Sequence, residues 1–213
     1  MKVGLCIPHT GMVSMRFAES LAALVGYTAS LTIEYDGRPE RAEQALFDER
    51  DGPLDYKRVR SVQRALDWGA DYLLLLDSDQ VFPSDGLIRL MARDCPVIGC
   101  NYPTRRENRP TAYGFDKEPI PTTPEKAEAD EVEAVAGIGL GFCLVKAPVF
   151  GALAQPWFQT RIGEAGEIAC GEDAHFCNLV RRAGIPVLLD HALSLRVGHI
   201  GERVFSVADA VSP

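Results

Sequence analysis

Two carboxylates, Asp77 and Asp79, follow the strand-like run 71–76 and are separated by Ser78. In an extended chain alternate side chains point the same way, so both acids can reach one cation while Ser78 points away. Hard oxygen ligands of this kind select Mg²⁺ or Mn²⁺. Such an ion neutralises the charge that develops on a diphosphate leaving group. An Asx turn that caps the next helix explains the same residues equally well.

A second acidic pair, Glu172 and Asp173, stands just before a helical pattern of apolar residues at 176–180. Acids in the first turn of a helix also complement its dipole, so a plain helix cap is the alternative explanation. His199 is flanked by glycines and follows residues 192–197, which we predict to be an apolar strand. Glycines at a strand end let the backbone approach another group closely, and an imidazole there is a reasonable ligand for an oxygen-rich Mn²⁺ site.

Strand-like runs alternate with amphipathic helical runs, which is typical of a mostly parallel sheet flanked by helices. The predicted strands are 3–8, 30–35, 71–76, 96–100 and 132–145. The predicted helices are 14–25, ended by Gly26, 56–68, ended by Gly69, and 85–92. We therefore predict an α/β fold that forms a single domain over residues 1–213.

Two stretches between these elements are predicted to be loops. Residues 37–55 carry mixed charges. Residues 116–131 combine prolines with many charges, which predicts a mobile surface loop and not a domain boundary. If it moves, this loop could close over a bound ligand and exclude water.

Composition and charge limit the classes of function. With 213 residues, 46% of them hydrophobic, the chain can bury a core. The formal net charge of -8 argues against a nucleic-acid partner, because such binding needs a basic surface. No apolar run is long enough for a signal peptide or a membrane span, so we expect a cytoplasmic protein and leave peripheral attachment to a membrane open.

The six cysteines are scattered through apolar surroundings without CxxC pairs. In a chain without an export signal this pattern predicts free, buried thiols. A zinc site built from Cys170, Cys177 and the nearby histidines is a weaker alternative, because the usual short paired spacings are missing.

The order of these segments resembles the GT-A fold of glycosyltransferases, and it is similar in particular to glycosyltransferase family 2, typified by cellulose and chitin synthases. The matching segments, in chain order, are CIPHTG, DYLLLLDSDQVFP, AGIGLGFCLV, PWF with GEDAHFCNLVRRAG, and VGHIG. They cover nearly the whole chain, and their joint order is more specific than any one of them. The resemblance implies a Rossmann-like nucleotide-diphospho-sugar transferase domain that binds Mn²⁺ or Mg²⁺.

The resemblance also assigns roles at the site. Asp77 and Asp79 become the metal-binding DxD motif, with Asp79 the more direct ligand and Asp77 nearer the donor ribose. His199 becomes the late metal ligand. Asp173, with Glu172 beside it, takes the position of the base that removes the proton of the acceptor hydroxyl in inverting members, a role that suits a carboxylate within hydrogen-bond reach.

The donor implied by the resemblance is a UDP- or GDP-sugar. Its nucleotide is expected to bind at the ends of the first two strands, at Pro8, His9 and Thr10 and at Glu34 or Asp36. It is also expected to contact Asp77 and Ser78 of the DxD motif and, on the helix before that motif, Arg60 or Arg58. A solvated helix face explains the two arginines equally well.

Departures from the family narrow the expected activity. The chain lacks the membrane helices and the QxxRW motif of polysaccharide-forming members, so we expect transfer of a single sugar to a hydroxyl acceptor. The Glu172-Asp173 pair favours inversion. Some retaining enzymes of this fold share the DxD motif and the late histidine, so the stereochemistry stays open, as do the acceptor and the oligomeric state.

Other classes of function fit the sequence less well. A sugar-nucleotide pyrophosphorylase should have a glycine-rich loop after its first strand, and a haloacid dehalogenase-type phosphatase carries its DxD motif on that strand. A catalytically silent nucleotide- or carbohydrate-binding module of the same fold is the main alternative. Arg105, Arg106 and Arg109 could bind an anionic acceptor. Trp157 and Phe158 could stack on a sugar, or pack in the core.

Overall fold

A seven-stranded sheet forms the centre of the fold in the computed structural model, which describes residues 1–105 and 108–201 and the backbone of 204–206. The strands are β1 (Lys2–Pro8), β2 (Ile33–Tyr35), β3 (Arg38–Glu40), β4 (Glu43–Glu49), β5 (Tyr72–Leu76), β6 (Gln80–Val81), β7 (Val97–Gly99), β8 (Val132–Val135), β9 (Phe142–Lys146), β10 (Arg161–Ile162), β11 (Ile168–Cys170), β12 (Val187–Asp190), β13 (Gly198–Ile200) and β14 (Val204–Ser206). The helices are α1 (Met15–Ser30), α2 (Leu54–Asp67), α3 (Gly86–Ala92), α4 (Pro124–Glu128), α5 (Ala147–Gly151), α6 (Glu172–Arg182) and α7 (His191–Ser194).

The strand order of this sheet is β4-β1-β5-β9-β7-β12-β8. Strands β4, β1, β5, β7 and β12 run in one direction, while β9 and β8 run against it. The carboxyl ends of the first group therefore meet at one edge of the sheet, where open α/β sheets bind their ligands. The predicted α/β fold with a mostly parallel sheet is confirmed.

Strand β5 is buried on both faces, which explains its unbroken apolar sequence. Leu73 and Leu75 pack into one hydrophobic cluster, together with residues of α2 and α6. Leu74 and Leu76 pack into a second cluster on the other face, with residues of α1 and α3. The helices thus cover both faces of the sheet and leave the end of β5 at the carboxyl edge.

The region between α1 and α2 differs from the prediction. Helix α1 continues through Gly26 to Ser30, and the predicted strand 30–35 yields only β2, which pairs with β3 in a separate hairpin. The second strand of the central sheet is instead β4, parallel to β1, in the stretch that we predicted to be a loop. Because β4 is an edge strand with Phe47 as its one buried residue, its charged sequence hides the strand pattern.

The predictions for the second half of the chain also need correction. The stretch predicted as one strand, 132–145, forms β8 and β9, separated by the glycine-rich residues 136–141. Residues 192–197 are not a strand, because the Asp190 side chain accepts a hydrogen bond from the Leu193 N–H and caps α7. His199 lies within β13.

The proline-rich stretch 116–131 contains α4, capped by Thr123. Ion pairs join it to the rest of the protein, from Lys126 to Glu133 and from Asp130 to Arg93. Its movement remains a prediction.

All six cysteines are free thiols, as the sequence indicated, and four of them are buried. Among the helices in the described part of the chain, none has both the length and the apolar character that crossing a bilayer requires.

Candidate metal- and nucleotide-binding site

The DxD motif leaves β5 at the carboxyl edge of the sheet. The N–H of Asp77 donates to the carbonyl of Gly141 at 3.0 Å, and the N–H of Gln80 donates back to the carbonyl of Asp77 at 3.2 Å. The first bond extends the pairing of β5 with β9, and the second closes a tight turn between β5 and β6. Asp77, Ser78 and Asp79 are all partly exposed within that turn.

Arg58 on α2 joins the two acidic motifs. Its guanidinium donates to Asp77 Oδ1 at 2.7 Å and to Glu172 Oε1 at 3.3 Å, and the residue is only 2% exposed. Burial alone would lower the pKa of Arg58, but the charges of Asp77 and Glu172 outweigh it and raise that pKa. The Nη1 atom of Arg58 is buried and has no hydrogen-bond partner among the described residues.

Arg60, the other arginine proposed for the donor, is exposed and lies outside this cluster. The two arginines are two positions apart on a helix and therefore cannot face the same way. The structure brings Arg58 to the site and leaves Arg60 on the solvated face of α2.

His199 is brought to Asp79 by strand pairing. Strand β13 pairs with β6 so that His199 faces Gln80, and the N–H of Ile200 donates to the carbonyl of Asp79 at 2.7 Å. As a result, Nε2 of His199 lies 3.4 Å from Asp79 Oδ1.

The second ring nitrogen of His199 fixes its tautomer. Nδ1 lies 3.0 Å from the carbonyl oxygen of Pro103, which can only accept, so the proton of the neutral ring sits on Nδ1. The lone pair of Nε2 then faces the carboxylate of Asp79. Histidines that bind metals typically have their other nitrogen held by a carbonyl in this way.

Asp79 is surrounded by positive or metal-binding groups. Arg105 Nη2 lies 3.1 Å from Oδ2 of Asp79, whereas His199 approaches Oδ1. Burial alone would raise the pKa of Asp79, but the hydrogen bond and charge of His199, which it supplies when its ring is protonated, and the charge of Arg105 lower that pKa below its ordinary value. A carboxylate oxygen and an imidazole lone pair that face each other at 3.4 Å fit a divalent ion, and this mixed donor set favours Mn²⁺ over Mg²⁺.

Glu131, Glu133 and His191 also lie close enough together to hold an ion. Their side chains already have partners, because Lys126 pairs with both glutamates, and Nδ1 and Nε2 of His191 contact Thr122 and Glu133. We therefore regard this group as a structural link between β8 and α7.

Asp173 lies in the first turn of α6, where its Oδ1 accepts a hydrogen bond from the N–H of Ala174 at 2.6 Å. Burial, and next the charge of Glu172, raises the pKa of Asp173 to about 6. A carboxyl group with a pKa this close to neutral is suited to proton transfer. A side chain at position 171 would crowd this carboxylate, since a Cβ on Gly171 would lie 2.9 Å from Asp173 Oδ1.

Pro8 ends β1 at the same edge of the sheet, and His9 and Thr10 begin the loop that follows. Nδ1 of His9 accepts from the N–H of Gly11 at 3.0 Å, so the neutral ring carries its proton on Nε2, 3.1 Å from Asp48 Oδ2. Asp48 belongs to β4 and is the acid that sequence reasoning missed. The short apolar run 45–47 before it was the local signal for a strand, and the charged residues around the run hid it.

Glu34 and Asp36 lie elsewhere, which corrects the predicted position of the donor acid. They belong to the β2–β3 hairpin, where the Tyr35 ring packs edge-on against Tyr72 at the first residue of β5. The site is at the last residue of β5, so these acids are at the opposite end of the strand. The prediction failed because it took β2 for the second strand of the central sheet.

The aromatic pair proposed to stack on a sugar is part of the core. Trp157 and Phe158 are buried and pack against Phe150, and Phe158 stacks on Phe176. Of the three arginines proposed for an anionic acceptor, Arg105 contacts Asp79, and Arg106 lies outside the described residues.

Comparison with known proteins supports the fold. No protein-family model matches the chain, and no curated protein matches its sequence. Among solved structures, A197 from STIV is 19% identical, with a TM-score of 0.62 over 98% of this chain and 92% of that one. GalNAc-T7 with UDP, GalNAc and Mn²⁺ is 14% identical, with a TM-score of 0.60 over 94% of this chain and 43% of that one.

At these identities the likeness establishes the fold alone. Both alignments cover nearly all of this chain, so the likeness extends to the fold as a whole. The chain therefore has the GT-A fold, as its motifs indicated.

Proposed function

We propose that this protein is a metal-dependent glycosyltransferase that moves a single sugar from a nucleoside-diphosphate sugar to a hydroxyl acceptor. One observation carries the proposal: Asp79 Oδ1 and the Nε2 lone pair of His199 face each other at 3.4 Å at the carboxyl end of β5. This pair would hold the ion, with Asp77 beside it. Arg58, which also pairs with Glu172, holds Asp77 in place.

When bound, the ion would neutralise charge on the diphosphate leaving group. The nucleoside would lie against the loop Pro8–Thr10 and Asp48, which occupy the same edge of the sheet. GalNAc-T7 shares the fold, and its crystal structure contains UDP, GalNAc and Mn²⁺, so UDP-sugars are the first donors to test.

Asp173 is the proposed base. Its pKa of about 6 leaves it mostly ionised at neutral pH, while it still binds a proton more readily than an exposed aspartate. The acceptor oxygen would attack the anomeric carbon while the bond between that carbon and the diphosphate oxygen breaks. The hydroxyl proton would pass to Asp173. Attack from the face opposite the leaving group would invert the anomeric centre.

The test is a titration of the purified protein with UDP, GDP and CMP, with and without Mn²⁺, by calorimetry. Asp79→Ala should lose the Mn²⁺-dependent part of nucleotide binding. Asp67→Ala, an exposed acid at the far end of α2, is the matched control and should bind as the wild type does.

Donor turnover is then measured as nucleotide release from the matching sugar nucleotide, with simple glycosides and water as acceptors. Metal-dependent binding with turnover supports the transferase. Binding without turnover in any combination favours the silent binding module. Absence of nucleotide binding in the presence of Mn²⁺ rejects the proposal.

A further inference from the structure

Arg105 contacts Asp79, the proposed metal ligand, through one carboxylate oxygen. Its Nη2 lies 3.1 Å from Asp79 Oδ2, and its side chain is 52% exposed. The N–H of Thr104 donates to the carbonyl of Arg109 at 2.7 Å, and Pro103 pairs with Pro110, so the base of this loop is closed. Arg105 is therefore a long, solvated side chain on a fixed base.

The same loop is tied to His199, because Pro103 accepts the hydrogen bond from His199 Nδ1. One loop therefore carries Arg105, which contacts one oxygen of Asp79, and holds His199, which contacts the other. Arg58 differs from Arg105, since it is buried between two carboxylates and cannot leave them without uncovering both.

We propose that Arg105 changes partner when the donor binds: it pairs with Asp79 in the free protein and with the diphosphate of the nucleotide in the complex. This inference rests on the proposed function. A divalent ion held by Asp79 and His199 would repel the guanidinium beside it. The diphosphate supplies negative charge at the same place, and the planar guanidinium fork matches phosphate oxygens.

Arg105 therefore couples the two ligands. It opposes binding of the ion alone and favours binding of the ion together with the nucleotide. Because such coupling is reciprocal, it is measurable from either ligand. A residue that only supported the loop would weaken both binding steps or neither.

The experiment measures Mn²⁺ binding by the loss of the electron paramagnetic resonance signal of the free ion, and UDP and GDP binding by calorimetry at saturating Mn²⁺. Arg105→Gln should bind Mn²⁺ alone more tightly, by about fivefold, and the nucleotide more weakly, by about tenfold. Arg105→Lys should restore part of both effects. Arg38→Gln, with the same charge change on the exposed β2–β3 hairpin, should change neither.

Opposite signs for the two steps in Arg105→Gln support the inference. It is overturned if the variant matches Arg38→Gln in both steps, or if both steps weaken together, while the wild type still binds nucleotide with Mn²⁺. A wild type that binds no nucleotide with Mn²⁺ overturns the proposed function as well. Inorganic pyrophosphate in place of the nucleotide tests whether the phosphates alone are sufficient to bind Arg105. With it, Arg105→Gln is again expected to bind Mn²⁺ alone more tightly and the anion more weakly.

Discussion

Arg58 donates a hydrogen bond of 2.7 Å to Asp77 Oδ1, so the first acid of the DxD motif is held by a buried cation. The same guanidinium reaches Glu172, which begins α6. A single side chain of α2 therefore links the end of β5 to the start of α6. Asp79 instead contacts His199 and Arg105, so the two acids of the motif have different electrostatic partners.

Removing Arg58 should destabilise the protein strongly. Arg58→Met leaves Asp77 and Glu172 as unpaired, partly buried charges, and we expect the free energy of unfolding to fall by about 3–5 kcal/mol. Arg60→Met on the same helix is the matched control and should change it by no more than about 0.5 kcal/mol. Urea unfolding at neutral pH without metal measures both. Equal effects of the two substitutions would contradict the role of Arg58.

The raised pKa of Asp173 predicts a pH-dependent stability. The folded chain holds this proton up to about pH 6, whereas an unperturbed aspartate loses it near 3.8, so the folded state binds more protons between these values. Stability contributed by the protonated form is therefore lost as the pH rises through that window. Asp173→Asn should be more stable than the wild type at pH 8, by roughly 2–3 kcal/mol, and similar to it near pH 3.5.

The same substitution separates catalysis from binding. Asp173→Asn should abolish sugar transfer while UDP or GDP still binds with Mn²⁺. In the wild type, transfer should fall as the pH drops below about 6, because the base becomes protonated. Unfolding curves in a chelator and initial rates across pH 4.5–9 check the two halves of this prediction. An acid limb well below pH 5 would argue against Asp173 as the base.

The nucleoside end of the site can be located by two matched substitutions. Asp48→Asn alters an acid paired with His9 at the carboxyl edge, and we expect it to weaken UDP or GDP binding about tenfold. Asp36→Asn alters an acid at the other end of β5 and should leave binding within about twofold of the wild type. Calorimetry at saturating Mn²⁺ distinguishes them, and the reverse order of effects would restore Asp36 as the donor residue.

A side chain at Gly141 is predicted to disturb the packing next to the DxD motif. A Cβ there would lie 2.6 Å from the Tyr102 hydroxyl and 2.8 Å from Gln80 Nε2, both of which are buried. Gly141→Ala should therefore cost about 1–3 kcal/mol and disturb Asp77, whose N–H donates to the Gly141 carbonyl. Gly26→Ala meets nothing within 4 Å inside α1 and should stabilise the protein by about 0.5–1 kcal/mol. Thermal unfolding of both variants tests the contrast.

Local sequence pattern was sufficient for the elements that are buried or strongly amphipathic. The apolar run of β5 requires cover on both faces, and α2 ends just before Gly69, whose φ of 84° suits a glycine. It was insufficient for β4, since an edge strand needs few buried side chains and its charges resemble those of a loop. It also misjudged α7, because a four-residue helix has too few residues to show a period.

By itself, the sequence determined the α/β fold and placed Asp77 and Asp79 at the end of a central strand, because local hydrophobicity and chain order encode both. The tertiary structure alone decided which distant groups meet those acids. The β6–β13 ladder brought His199 to Asp79, and the burial of one face of α2 selected Arg58 over Arg60. The pairing of β4 with β1 put Asp48 where Glu34 or Asp36 had been expected, since strand partners are chosen by contacts across the whole sheet and not by neighbouring residues.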